Sequence, residues 1–145
     1  MTHIAAPTDT LLGTRGSALA GLIGSLALVA AIGGIAQLDH HAAVEFAAGA
    51  LAVCYAVYVG AALARGGPRE LLTEIAFFAA GFGLVGLGLW YRPEYLALGW
   101  ALHAVWDLLH HRTRHPVGTR GIPPWYVVAC LVVDPVVAIG ILVFL

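Results

Sequence analysis

From Ser17 to Leu38 the chain runs 22 residues without one charged side chain, and four further apolar runs of similar length follow. About 20 apolar residues carry a helix across the hydrocarbon core of a bilayer, so five such runs constrain the fold more than any other feature. Composition points the same way. Hydrophobic residues make up 61% of the 145 and charged residues 10%, with a mean hydropathy of +0.90, against about 45–50% and about 25% in water-soluble domains. A soluble globular domain is thereby excluded. Seven arginines, no lysine and eight carboxylates give a net charge of -1. That leaves no basic surface to neutralise phosphates, so no nucleic-acid partner is expected.

The expected architecture is all-α, one polytopic membrane bundle with five transmembrane helices near 17–38, 42–63, 71–90, 95–111 and 125–145. Residues 1–14 read as a flexible tail. They lack the cationic start and short apolar centre of a removable signal peptide, so the tail is expected to stay on the protein. Asp39-His40-His41 makes a tight hairpin, and Arg65-Gly66-Gly67-Pro68-Arg69 is a breaker loop. Tyr91-Arg92-Pro93-Glu94 is a short turn, Arg112 to Pro124 the longest loop, and Pro124 suits the first turn of the last helix. Threading five spans places Arg15, Arg65, Arg69, Arg112, Arg114 and Arg120 on one side and only Arg92 on the other. Positive loops stay cytoplasmic, so the N-terminus is expected in the cytoplasm. Abundant Gly and Ala favour close helix packing, and Glu45-Phe46-Ala47 and Glu74-Ile75-Ala76 hint at an inverted repeat. Arginine without lysine, with much Ala and Gly, suggests a high-GC bacterial sequence and the inner membrane as its location.

Ionisable residues inside such runs are costly and tend to mark sites or pathways. His103, Asp107, His110 and His111 stand at i, i+4, i+7 and i+8, within an arc of roughly 100 degrees on one helix face. An imidazole and a carboxylate four residues apart can share a metal ion, or pair so that the carboxylate orients the ring. Cations also suit a helix C-terminus, which offers His111 and His115 a plain interfacial role. Glu74 lies one turn into the third span, level with Asp107 and His110. Asp134 lies about 13 Å into the fifth span, at the depth of His103, and Asp134-Pro135 can cap a broken helix. The expected ligands are His103, His110, His111 and Asp107, for zinc or iron. Asp107, Glu74 and Asp134 are the expected acid–base groups.

A secondary group, His40, His41 and Glu45 beside Asp39, falls at the opposite membrane face, as a polar hairpin tip or a re-entrant part of the same site. Cys54 and Cys130 sit in apolar runs without a CxxC spacing; they read as packing residues, with soft ligation the alternative. Trp106, beside Asp107, can shape an apolar pocket.

The segment Gly99-Trp100-Ala101-Leu102-His103-Ala104-Val105-Trp106-Asp107-Leu108-Leu109-His110-His111, with Pro124-Trp125-Tyr126 and Asp134, resembles a group of small bacterial integral membrane proteins of unknown function. That resemblance brings no reaction with it. More remotely, Asp107-x2-His110-His111 is similar to the HxxHH box of membrane fatty-acid desaturases and hydroxylases, with aspartate in place of the first histidine. Those di-iron enzymes use about eight imidazoles, and this chain has seven histidines in all.

The function expected from these residues is a membrane-embedded, metal-dependent enzyme acting on an apolar or lipid-like small molecule, as a hydrolase or oxidoreductase. A metal-free isomerase or cyclase driven by a buried acid is a variant of it. Two other classes stand beside it: an accessory subunit of a larger membrane complex, and an ion or proton carrier whose mouths are the two polar groups. The lipid bilayer is the expected environment, and a homo-oligomer is consistent with the glycine-rich faces.

Overall fold

The computed structural model describes residues 14–112, 122 and 124–145, and among them side chains at 14–20, 25, 28, 29, 111, 112 and 124 are outside the description. The described residues form five α-helices and no strand: α1 (Thr14–Gln37), α2 (His40–Arg65), α3 (Pro68–Trp90), α4 (Glu94–Arg112) and α5 (Pro124–Phe144). Each falls within a few residues of an expected run. The expected tail, apart from Thr14, and most of the long loop lie outside the described residues.

The helix ends follow from local chemistry. Asp39 caps α2 by accepting a hydrogen bond from the Ala42 N–H at 3.1 Å, which satisfies one of the orphan donors of a first turn. The α2–α3 break ends on Gly66, whose N–H reaches Ala62 O at 2.8 Å. Pro68 then occupies the first turn of α3, where its missing N–H costs nothing. Pro135 lies inside α5, yet the helix runs continuously from Pro124 to Phe144; the broken helix envisaged at Asp134-Pro135 does not occur.

The helices close a ring in chain order. Neighbours α1–α2, α2–α3, α3–α4 and α4–α5 pack together, α1 returns onto α5, and α2 and α4 also meet across the middle. No Cα of α2 comes within 8 Å of a Cα of α5. At one end the core is apolar, with Leu51, Leu96 and Ile141 at 1% exposure or less. Gly81 makes room there: a Cβ at this position would collide with the ring of the buried Tyr55.

The outward faces are apolar, with Leu72 69%, Leu63 67% and Val143 65% exposed. Among the described residues Glu74, His103, Asp107 and Asp134 are buried. This is the inverse of a water-soluble protein and suits a hydrocarbon surround. Among the described residues three helices, α2, α3 and α5, are long and apolar enough to cross a membrane, not the expected five. α4 falls short because Glu94, His103, Asp107 and His110 stand along it, and α1 carries side chains outside the description.

Candidate functional site

Because α2 and α4 meet inside the ring and α5 flanks α4, side chains from these three helices converge in the middle of the bundle. His103 of α4 lies at the centre. Its Nδ1 is 2.7 Å from Asp134 Oδ2 and 3.0 Å from Asp107 Oδ2, and all three side chains are fully buried. The i, i+4 spacing supplies the Asp107 contact within one helix, and α5 supplies Asp134 from its neighbour. The aligned hydrogen bond runs between His103 and Asp134. Asp107 Oδ2, although close, receives no aligned hydrogen, and neither do Asp134 Oδ1 and His103 Nε2.

The tyrosines of α2 complete this shell. Tyr58 donates its hydroxyl hydrogen to Asp107 Oδ1 in a short hydrogen bond, and Tyr55 donates to Gly99 O at 3.0 Å. Both rings meet the His103 imidazole edge-on, with centroids 5.0 Å away for Tyr55 and 5.6 Å for Tyr58. The Cys130 thiol, one turn before Asp134 on α5, joins the group: one ligand atom each from His103, Asp107, Cys130 and Asp134 all lie within 4.8 Å of one another.

A second polar group sits beside the first. Glu74 Oε1 of α3 is 3.0 Å from His110 Nε2, and the Trp106 indole N–H donates to Glu74 Oε2 at 3.1 Å. His110 Nδ1 faces Trp106 O at 2.9 Å. A carbonyl only accepts, so Nδ1 carries a hydrogen. Nε2 then faces the Glu74 carboxyl within hydrogen-bond distance. Trp106 is fixed by stacking on Phe77 at 3.9 Å, and the Tyr58 ring lies between the two polar groups, 4.6 Å from His110.

Placement of the expected residues follows. His103, Asp107 and Asp134 come together, and His110 pairs with Glu74 beside them. The His111 side chain lies outside those described. His40, His41 and Glu45 do not reach the interior. His40 bonds to Leu145 O at 3.0 Å, and His41 pairs with Glu45 at 3.1 Å, both largely exposed. The layer of Leu51, Leu96 and Ile141 lies between them and the cluster along the helices. Glu45 is exposed and Glu74 buried, so the repeat hinted at by their neighbours is not one of environment. The residues that spacing missed are Tyr55 and Tyr58, while Cys130, read first as packing with soft ligation the alternative, joins the cluster. Tyr55 and Tyr58 share a face of α2 at i, i+3, the one signal that could have found them.

A model of a family of unknown function, DUF6010, matches residues 17–144. The chain belongs to the DUF6010 family. The match covers all five helices nearly end to end, and with them every member of both polar groups. For this DUF6010 chain no curated protein and no solved structure gives a match. No similarity to a desaturase accompanies the family match. The box-like Asp107-x2-His110-His111 also divides in space, with Asp107 on the His103 cluster and His110 on Glu74.

The cluster could hold a metal ion. A zinc-sized cation makes bonds of about 2.0–2.3 Å to nitrogen, oxygen and sulfur, which four donor atoms within 4.8 Å of one another could reach by drawing in slightly around it. Three buried atoms in the cluster lack partners, and two carboxylates facing one imidazole nitrogen leave negative charge to be balanced in a medium that tolerates little. The donor set, one imidazole, two carboxylates and one thiol, is the mixture that zinc or iron accepts.

Proposed function

We propose that this protein is a five-span membrane enzyme, N-terminus in the cytoplasm, that uses a metal ion held by His103, Asp107, Asp134 and Cys130 to act on an apolar or lipid-like substrate. The observation that carries this reading is the convergence of three fully buried ionisable side chains from α4 and α5, with Nδ1 to carboxylate distances of 2.7 and 3.0 Å. Groups of this kind are expensive in a bilayer and are retained for function. The six-to-one distribution of arginines supports the orientation, and the apolar outward faces support burial of the bundle in lipid.

When bound, the ion would supply Lewis acidity toward a water or substrate oxygen. The rest falls to the chain. Asp134 fixes the ring of His103, Tyr58 fixes Asp107, and Glu74 with His110 keeps one exchangeable proton beside the cluster. A groove of about 600 Å³ between α4 and α5 is lined by Ala97, Ala101, Ala104, Pro135, Ala138 and Leu142. Ala104 and Pro135 are chain neighbours of His103 and Asp134, which brings an apolar molecule lying in the groove to the back of the cluster. The apolar layer between the cluster and the His41 end speaks against a through-going carrier.

The deciding experiment is elemental analysis of freshly purified protein in detergent, wild type beside His103→Ala and Asp107→Asn. About one equivalent of zinc or iron in wild type, lost in both variants with helical circular dichroism unchanged, is the expected result. Metal-free wild type that takes up neither ion on addition would overturn the metal reading.

A further inference from the structure

Helix α4 carries two tryptophans, and only one has its indole N–H satisfied. Trp106 donates to Glu74. Trp100 is 4% exposed, and its indole N–H is buried and finds no acceptor among the described residues. An indole offers a donor and nothing else, and an unpaired donor in a protein interior is rare enough to need a reason. Trp100 forms one wall of a cavity of about 230 Å³ between α1, α2, α4 and α5, with Ala31, Phe46, Ala50, Val133 and Val137 around it. Among the described residues every other side chain on the wall is alanine, valine, isoleucine or phenylalanine. This chamber shares no lining residue with the α4–α5 groove. Trp100 stands one turn from His103 on α4, and Val133 adjoins Asp134 on α5, so the chamber borders the buried cluster.

The walls select their occupant by elimination. A water needs about two to four polar partners to stay in a protein interior, and the side chains here offer one. A pure hydrocarbon would fill the space and leave the N–H unpaired. An alcohol, amine or acid accepts from the indole but brings a hydrogen or a charge of its own that no wall side chain can meet. A carbonyl oxygen accepts and donates nothing, so a single N–H suits it. Volume sets the size: a dry cavity of about 150 Å³ takes benzene, so this one suits about ten heavy atoms.

We propose that this chamber binds an apolar molecule of that size with a single carbonyl oxygen, a ketone, aldehyde or ester, and that the Trp100 indole N–H donates to that oxygen. Binding here needs no metal in the cluster, so the site stands or falls separately from the enzyme proposed above.

The test is an NMR titration of the full chain in detergent, stripped of metal by a chelator, with isotope-labelled tryptophan indoles and valine methyls. Methyl heptyl ketone, nonane and nonanol are the probes. The ketone is expected to shift the Trp100 indole proton downfield and saturably, to leave the other three indoles in place, and to move the Val133 and Val137 methyls in step. Nonane is expected to move the methyls without the indole proton, and nonanol to bind about fivefold or more weaker than the ketone. Trp100→Phe should cut the preference for ketone over nonane about fivefold, since nonane also fills any space the smaller ring leaves. Ala50→Leu should weaken all three probes together. A Trp100 resonance indifferent to the ketone, or shifted alike by nonane, would overturn the assignment. Nonanol bound as tightly as the ketone would overturn the carbonyl class. If Trp100→Phe fails to fold, Trp90→Phe, Trp106→Phe and Trp125→Phe identify the Trp100 resonance by elimination, and the wild-type titration decides.

Discussion

Tyr58→Phe removes one oxygen and keeps the ring, and the two polar groups respond to it differently. Asp107 loses its buried donor, while the aromatic contact with His110 at 4.6 Å persists. Interhelical hydrogen bonds inside membranes contribute on average about 0.6 kcal/mol and at most about 1.7 kcal/mol. Unfolding in mixed micelles should therefore become easier by about 1 kcal/mol, and zinc affinity should fall by about tenfold or more. The ring resonances of His110 in an NMR spectrum should barely move. At this scale much of the site was legible, since His103, Asp107, Asp134 and Glu74 announce themselves by being ionisable in runs where hydrocarbon penalises charge. Tyr58 and Cys130 carry no such penalty and are ordinary in an apolar helix, so spacing gave them little weight. His110 shows the limit of angular arithmetic on one helix. It shares an arc with His103 and Asp107, but which helix packs against each part of that arc, α5 at one and α3 at the other, is a property of the bundle.

At the scale of elements, the run lengths found all five helices, and the ends moved by only a few residues because caps such as Asp39 and Pro68 are written locally. The contact between α2 and α3 depends on one small residue. Gly81→Ala should displace the Tyr55 ring and destabilise the bundle by about 1–3 kcal/mol, the usual cost of overfilling a packed core. Gly83→Ala, with nothing within 4 Å of the added carbon, should be close to neutral. Paired denaturation curves in detergent check both. The start of α4 has its own pH response. The Glu94 carboxyl is held below the usual carboxylate range by its own backbone N–H and by the Arg92 guanidinium. An acid depressed in this way contributes stability above its unfolded value of about 4.3 and loses it as pH falls through the folded value. Protection of the Tyr95 and Leu96 amides, which bond to Arg92 O and Pro93 O, should therefore decline on acidification through that range, while amides around Val85 stay protected. Glu94→Gln should abolish the difference.

For the whole molecule, the orientation is the part that a labelling experiment decides. With the N-terminus cytoplasmic, a cysteine placed at Gly67 should resist a membrane-impermeant maleimide added to intact cells, and one placed at Pro93 should react; the reverse pattern would invert the bundle. The exchange of inside and outside, with leucines facing out and carboxylates facing in, also bears on how the chain is made. An aspartate at the centre of a lone helix raises the cost of entering lipid by about 2.5–3.5 kcal/mol, and α4 carries Asp107 together with His103 and His110. α3 before it and α5 after it hold the partners of those groups, Glu74 on one and Asp134 on the other. α4 is thus a poor passenger by itself and an acceptable one in company. On the proposed five-span reading, its residence in the bilayer would be secured when synthesis has delivered α5, so that completing the polar cluster and completing the topology would become one event in the assembly of the protein.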